Sequence, residues 1–591
     1  MRAGMADSPI LAFLSRSESI ATLPEAATIL PLHPEMRVPS DRLFANRPED
    51  LLGPSDARDI AEATDRIAEG WWQALPEGAL LWRGVNLGEC FAYDLDLGVR
   101  DTLKAACIVN RALDRAKPRT VITDVAPHLG DFPSYPYLSS LGSLLADKAK
   151  RGGWHLEAPT AAAKGPEKPA VPVLARAYLS IAARRGLRRI RKGGALVGLG
   201  AFPGFYRPVA SAWQDAGGAM VVVTSEKAPL RAAPREGLAV IPVRAFLAPE
   251  DHAEVARFVD RALGSVRSLP SAMVFRHDGW DLSALVRGHL VTCLEDNLAD
   301  LASTGLAFER GLERARRIVI VETGSPLAKG VVRYASRRGI PVTVLQHGIL
   351  AGAFSYRKTE GDRIASWGPT DAAWFRSQLG RPVWVEATGC PRYDGLTEGI
   401  PGAVPKSLRN LPHGSHAVLY ASQPFVQDRA DRSPWERHEV FRMALEAVSR
   451  SRDLVLLVKR HPAEREETAA ALGFDPSRIR AIHGGNTFNL IRRSEVVLAV
   501  SSTVSFEAML LDRPVVFLGA ADLSSPFHPP EDGSGVRAHS AAELAARLRE
   551  ILDHAENRER VLRGQRDYLA RHYAPLDGRA ARRVVEFLRA E

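Results

Sequence analysis

The chain alternates short apolar runs with longer segments in which apolar residues recur every three or four positions. Short apolar runs bounded by glycine or proline are typical of strands that are buried on both faces. The helical recurrence between them is typical of amphipathic helices that cover a sheet. The repeated β-α-β order therefore predicts an α/β fold with parallel sheets and helices on both faces.

Two such α/β units follow each other along the chain, and a proline- and glycine-rich segment at 398–414 marks the boundary between them. Two Rossmann-like domains with parallel sheets that face each other across a cleft would bind ligands at the carboxyl ends of their strands. The predicted parts are an irregular or helical N-terminal segment (1–75), a first Rossmann-like domain that binds the acceptor (76–400, with a helical insertion at about 250–316), a second that binds the donor (410–575), and a C-terminal helix (576–591).

The composition is that of an ordinary globular protein, since 46% of the 591 residues are hydrophobic and 25% are charged. Four scattered cysteines are too few for a disulfide framework or a zinc knuckle, which indicates a reducing compartment. No apolar run approaches the roughly 18 residues that a membrane-spanning helix needs. We therefore expect a cytoplasmic protein.

The net charge of +9 permits attraction to nucleic acid, anionic lipid or phosphorylated substrates. Aromatic residues do not interleave with the basic ones, so nucleic acid is not an expected partner. The densest basic stretch spans residues 184–192. It could make a peripheral contact with the inner membrane or a polyanionic acceptor, or it could be a solvated helix face.

Residues 496–519 have the pattern of a strand, a turn of small residues, a helix and a second strand. Ser501, Ser502 and Thr503 place hydroxyls where the helix begins, and Glu507 lies one turn further. Free N–H groups at a helix start suit a phosphate, and a carboxylate one turn on can accept hydrogen bonds from ribose hydroxyls. Nucleotide binding is the first hypothesis, and a serine-capped helix with a solvated Glu507 is the alternative.

Three further strand ends in the second domain carry candidate donor-binding residues. Lys459 and His461 follow the apolar run LVLLV, where two cations and a histidine at a helix start could bind a diphosphate. The alternative there is a surface turn. Gln423 could bind donor phosphate or sugar, and His483 ends a strand whose loop could frame the base.

Two strand ends in the first domain offer catalytic candidates. His347 follows the run VTVL, and the glycine after it permits a close approach of ligand. It could be a general base, could contact donor phosphate across the cleft, or could be a core histidine. Glu322 follows RIVIV and could activate an acceptor hydroxyl, or could be structural. No acidic cluster has the form of a metal site, so neither a metal nor another cofactor is expected.

Six segments follow one another in chain order: QHG, RIASWGPTDAAWF, TGCPRYDGL, YASQPF, VKRHP and SSTVSFEAMLLDRPVVF. In these segments the chain resembles bacterial surface and capsular polysaccharide biosynthesis proteins of the GT-B glycosyltransferase type, in particular the capsule-synthesis Kdo-transferase group. More distantly it is similar to CDP-glycerol glycerophosphotransferases and polysialyltransferases. The resemblance implies that His461 and the 501–503 turn hold the nucleotide phosphates, that Glu507 binds the ribose, and that His347 is the family's histidine in the first domain.

The resemblance also implies a function, namely transfer of a sugar from a nucleotide-sugar donor to a glycan or glycolipid acceptor. Two motifs of the relatives are missing. The acidic motif of the sialyltransferases has its nearest match at Glu322, and Gln346 precedes His347 where the glycerophosphotransferases have tryptophan. The alternatives are a CDP-polyol phosphotransferase or a nucleotide-sugar epimerase on the same fold, and a non-catalytic protein that binds nucleotide-sugars.

Overall fold

The protein's three-dimensional structure is a computed structural model. It describes residues 10–33, 36–126, 140–150, 154–158, 186–190, 192–193, 195–200, 202–225, 239–269, 275–277, 279–321, 324–350, 359–396, 411–422, 434–460, 475–482, 486–519 and 526–590.

The strands in chain order are β1 (Ile10–Leu14), β2 (Thr28–Pro31), β3 (Leu81–Trp82), β4 (Val85–Asn86), β5 (Thr120–Thr123), β6 (His155–Glu157), β7 (Leu196–Leu199), β8 (Met220–Thr224), β9 (Ala239–Pro242), β10 (Arg276–His277), β11 (Trp280–Asp281), β12 (Arg317–Ile320), β13 (Val342–Leu345), β14 (Arg363–Ser366), β15 (Trp384–Ala387), β16 (His416–Ala421), β17 (Leu454–Lys459), β18 (Ile479–Ile482), β19 (Val496–Ala499), β20 (Val515–Leu518) and β21 (Val536–Ala538).

The α-helices are α1 (Pro54–Gly70), α2 (Ala92–Ala116), α3 (Leu141–Ala149), α4 (Pro203–Asp215), α5 (Pro249–Arg267), α6 (Ser283–Glu309), α7 (Pro326–Ser336), α8 (Pro369–Gln378), α9 (Pro434–Ser449), α10 (Thr487–Arg492), α11 (Thr503–Leu510), α12 (Ala541–Asp553), α13 (Ala555–His572) and α14 (Ala580–Arg589). Short 3-10 helices connect several of them, including one at Pro391–Leu396.

Two large parallel sheets organise the molecule. The first has seven strands in the order β15-β14-β13-β12-β7-β8-β9, and the second has six in the order β18-β17-β16-β19-β20-β21. In each sheet the strand that comes first in sequence lies near the middle. The next strands are added outward on one side of it, and the later strands are then added outward on the other side. The resulting switch points lie between β7 and β12 and between β16 and β19, where open α/β sheets bind ligands beyond the carboxyl ends of their strands.

The strands form because their apolar runs are buried on both faces. Val496, Val497, Leu498 and Ala499 of β19 have no exposed surface. Full burial of a valine or leucine side chain contributes roughly 1.5–3 kcal/mol relative to exposure. The expected fold class is confirmed, since the chain is α/β with two Rossmann-like parallel sheets.

The N-terminal segment differs from the prediction for residues 1–75, because β1 and β2 lie in that range. They pair in parallel with β5 and β6 in a four-stranded sheet of the order β2-β1-β5-β6. The apolar runs ILAFL and TILP are only five and four residues long, so they gave little strand signal. β1 pairs with β2 on one side and, on the other, with β5, which lies more than 100 residues further along the chain.

The predicted helical insertion is formed largely by α5 and α6, which pack against each other. The predicted boundary segment 398–414 lies mostly outside the described residues, and the limits of the two Rossmann-like domains stay predictions. Among the residues that the structure describes, no helix is both long and apolar enough to cross a membrane.

The C-terminal helix α14 packs on the seven-stranded domain rather than on the domain that precedes it. It contacts α4, and the Arg363 guanidinium donates to the carbonyls of Phe587 and Ala590 at 3.0 and 2.6 Å. At its start, the Asp394 carboxylate accepts hydrogen bonds from the backbone N–H groups of Ala580 and Ala581 at 2.9 and 2.7 Å. The last helix therefore ties the two large domains together.

Replacing Asp394 with alanine should loosen this attachment. The carboxylate caps two N–H groups that have no partner within the helix, so its loss is expected to cost about 1 kcal/mol. Chemical denaturation would measure the loss, and limited proteolysis would show faster cleavage near residue 580. Asp394→Asn keeps an acceptor oxygen and should lose less. Equal stability of the alanine variant and the parent protein would contradict the capping role.

Candidate active site

The loop that follows β13 presents His347 at the carboxyl edge of the seven-stranded sheet. The side chain is exposed, and its Nδ1 lies 3.1 Å from the backbone carbonyl oxygen of Val321, just after β12. A carbonyl can only accept a hydrogen bond, so Nδ1 carries the proton in the neutral ring. Nε2 is then the acceptor nitrogen, which is the form that a general base requires.

Gln346 holds this loop from behind. The side chain is buried, and its amide nitrogen donates to the Gly348 carbonyl at 2.9 Å and to an Asp371 carboxylate oxygen at 2.6 Å. Its amide oxygen accepts from the backbone N–H of Trp367 at 2.8 Å. The backbone on both sides of His347 is thereby fixed to β14 and α8, a role that the sequence analysis did not assign to Gln346.

Asp371 lies in the first turn of α8 and is 1% exposed. Burial raises the pKa of this carboxyl from 3.8 to about 7, against the opposing effect of the hydrogen bond from Gln346. The sequence analysis missed it. An acidic residue in the first turn of a helix is ordinarily a solvent-facing cap, so the sequence pattern did not distinguish Asp371 from one.

The turn after β19 forms as predicted, with Ser502 as the N-cap of α11. Its hydroxyl accepts from the Val504 N–H at 3.2 Å, while Ser501 and Thr503 are partly exposed. The Thr503 hydroxyl accepts from the Ile349 N–H at 3.3 Å. This bond joins the loop that carries His347 to the start of α11, so the carboxyl edges of the two sheets face each other.

Glu507 is buried at 2% exposure and is not the solvated side chain of the alternative interpretation. One carboxylate oxygen lies 3.1 Å from an Arg392 nitrogen and accepts from the Tyr393 hydroxyl at 3.3 Å. Burial raises the pKa of Glu507, and the positive charges of Arg392 and Lys459 act in the opposite direction. Ribose binding by Glu507 stays a prediction.

The remaining predicted site residues divide into two groups. Lys459 is the last residue of β17, and its charge acts on Glu507. Glu322, Gln423, His461 and His483 lie outside the described residues, so their predicted roles stay predictions.

An aromatic cluster of Trp367, Tyr393, Phe506 and Tyr573 fills the junction between the two large domains. The ring centroids of Trp367 and Phe506 are 5.1 Å apart, and those of Phe506 and Tyr573 are 4.6 Å apart. All four side chains are buried. The cluster packs directly behind the start of α11 and so fixes the distance between the two sheets at that point.

Residues 382–590 match the protein-family model of CDP-glycerol:poly(glycerophosphate) glycerophosphotransferase. The matched segment contains Lys459, the 501–503 turn and Glu507. Protein FixF of Sinorhizobium fredii (strain NBRC 101917 / NGR234) is 26% identical over 207 residues, which are 34% of this chain and 48% of FixF. The chain thus spans about half the length of this curated relative.

Three solved structures resemble the chain at low identity. S. aureus MnaA bound to UDP has a TM-score of 0.41 at 12% identity, over 66% of this chain and 94% of MnaA. A variant of the wall teichoic acid polymerase TagF has a TM-score of 0.41 at 14% identity, over 71% of this chain and 98% of TagF. The glycosyltransferase SnogD of Streptomyces nogalater has a TM-score of 0.37 at 14% identity, over 67% of this chain and 99% of SnogD. At these scores no function transfers from any of the three.

Proposed function

We propose that the protein is a glycosyltransferase that moves a sugar from a nucleotide-sugar donor to a glycan or glycolipid acceptor in surface or capsular polysaccharide biosynthesis. The observation that carries the proposal is the hydrogen bond between Ile349 and Thr503. It sets the exposed His347 of one sheet beside the helix start of the other. A base and a phosphate-binding turn thereby meet at one cleft.

In this proposal the donor phosphates lie at the start of α11, where backbone N–H groups, the positive end of the helix and Lys459 favour negative charge. His347 Nε2 accepts the proton of the acceptor hydroxyl, and the acceptor oxygen forms the new bond as the nucleotide leaves. Groups that are already in place stabilise the charge that develops on the leaving phosphate. No step needs a metal.

Transfer of a polyol phosphate is the second candidate, and the match of residues 382–590 to the glycerophosphotransferase family favours it. The same base would then activate a hydroxyl that attacks phosphorus rather than a sugar carbon. The two reactions release different products. A nucleoside diphosphate-sugar that donates its sugar leaves a nucleoside diphosphate, whereas CDP-glycerol that donates glycerol phosphate leaves CMP.

A ligand panel tests the proposal. Thermal unfolding with CMP, CDP, UDP and GDP should show one nucleotide that stabilises the fold, by about 2.7 kcal/mol at a hundred times its Kd. Donors of that base are then incubated with and without acceptor glycans, and the released nucleotide is identified. A donor that changes without acceptor would indicate an epimerase. Absence of stabilisation by all four nucleotides would contradict nucleotide binding.

The proposal also places the activity in the cytoplasm, next to lipid-linked acceptors at the inner membrane. Within the basic stretch 184–192, Arg188 and Arg189 are exposed. Sedimentation with vesicles that contain anionic lipid, compared with neutral vesicles, would test this contact.

A further inference from the structure

Arg392 lies at the junction of the two large domains, and neither the sequence analysis nor the proposed reaction gives it a role. It belongs to the 3-10 helix Pro391–Leu396, in the segment TGCPRYDGL. Its guanidinium carbon lies 6.0 Å from the ring centroid of Phe205, near the start of α4, and 5.5 Å from that of Phe488, near the start of α10. Arg392 therefore lies between helix starts that follow strands of both sheets.

The Arg392 guanidinium pairs with one carboxylate among the described residues and stays partly exposed. One nitrogen is 3.1 Å from Glu507, which among the described residues is the one carboxylate paired with Arg392. The side chain is 33% exposed. An arginine has five N–H donors in a rigid fork, which suits two oxygens of a phosphate. A partly exposed guanidinium that makes one ion pair with the described residues can thus also donate to a ligand in the cleft.

The charges around Glu507 also favour an anion. Arg392 and Lys459 both act on this carboxylate, so two cations face one buried anion. The start of α11, one turn from Glu507, adds the partial positive charge of a helix N-terminus. The cluster is therefore net positive in the absence of a ligand, and a phosphate group would balance it.

We propose that Arg392 binds a phosphate of the donor's diphosphate and that Glu507 is the positioning residue that holds the guanidinium in place. This inference rests on the proposed function and narrows its donor to a nucleoside diphosphate derivative. It gives Glu507 an action through Arg392, in place of the ribose contact that the family resemblance implies.

Binding of nucleoside diphosphate and monophosphate with the same base separates this role from general nucleotide binding. Isothermal titration calorimetry on the full chain should show that the parent protein prefers the diphosphate. Arg392→Gln should weaken diphosphate binding about 10- to 100-fold, the usual range for a lost charge-assisted hydrogen bond, with little change for the monophosphate. Arg392→Lys keeps the charge but not the fork, so its loss should be smaller.

Glu507→Gln distinguishes positioning from ribose binding. If Glu507 positions Arg392, the variant loses affinity for the diphosphate and still prefers ribonucleotide over 2′-deoxyribonucleotide as strongly as the parent protein does. If Glu507 binds the ribose, that preference falls and the ratio of diphosphate to monophosphate affinity stays constant. The second result would overturn the inference.

Arg549→Gln is the matched control, because Arg549 is 35% exposed and pairs with Asp453 at 2.9 Å. Asp453 precedes β17, whereas Lys459 ends it, so this pair lies roughly 20 Å from the cleft edge. The control should bind both nucleotides like the parent protein.

Two outcomes would contradict the inference. If Arg392→Gln keeps the parent's preference for the diphosphate, the inference about Arg392 is wrong and the proposed function still stands. If the parent protein binds no nucleotide, both the inference and the proposed function are wrong.

Discussion

Replacement of His347 by alanine is expected to lower kcat of the transfer reaction by about 10²–10⁴-fold, the usual contribution of a general base. The hydrogen bond of Nδ1 to the Val321 carbonyl sets the tautomer in which Nε2 can take a proton. The side chain is exposed, so its removal should change stability by no more than about 0.5 kcal/mol. Steady-state kinetics with the donor from the ligand panel, together with thermal unfolding, would measure both effects.

His252→Ala serves as the control for this prediction, since His252 is also exposed but lies on α5, in the helical insertion. It should retain the parent activity. Nucleotide affinity of the His347 variant should also be near that of the parent protein, because the base acts on the acceptor. Full activity of His347→Ala would exclude the proposed mechanism. Intact polysaccharide production in cells that carry only this variant would favour a non-catalytic protein.

The sequence predicted where Ser502 and His347 lie because its signals are local. Apolar runs such as VVLAV must be buried on both faces, so they become central parallel strands, and the residues that follow such strands gather at one edge. The capping role of Ser502 and the position of His347 both follow from this rule. Such placements need no knowledge of how the two domains meet.

The partners of the site residues could not be predicted, because they depend on contacts between distant segments. Arg392 and Glu507 are 115 positions apart and meet only because the 3-10 helix of one domain packs against α11 of the other. The bond between Gln346 and Asp371 likewise joins the loop after β13 to the first turn of α8. From its spacing, Glu507 was predicted to offer its carboxylate to a ligand. In the folded protein this carboxylate is paired with Arg392.

The raised pKa of Asp371 predicts a pH-dependent stability that Asp371→Asn should abolish. Burial raises the pKa of the folded-state carboxyl to about 7, above the value of 3.8 for an unburied group. The folded protein therefore holds a proton between these limits that the unfolded chain releases. The stability contribution of this group is complete below pH 4 and is lost as pH rises through 7. The loss is on the order of 4 kcal/mol, from 1.36 kcal/mol per pKa unit.

Thermal unfolding of the parent protein and of Asp371→Asn between pH 5 and pH 9 would measure this effect as a difference between the two curves. Asparagine keeps an acceptor oxygen for Gln346 and cannot ionise, so the variant should gain stability relative to the parent protein as pH rises. Between pH 5 and pH 7 the contribution changes by about 2.7 kcal/mol, so for a chain of this length the relative shift in Tm should be about 2–4 °C. Asp362→Asn is the control, because it removes a carboxyl at an exposed position just before β14 and keeps an acceptor oxygen for the Val342 N–H. A difference in Tm between the parent protein and Asp371→Asn that does not change with pH would contradict this prediction. It would show that the Asp371 carboxyl does not titrate in this range and accepts the Gln346 hydrogen bond in one charge state at every pH.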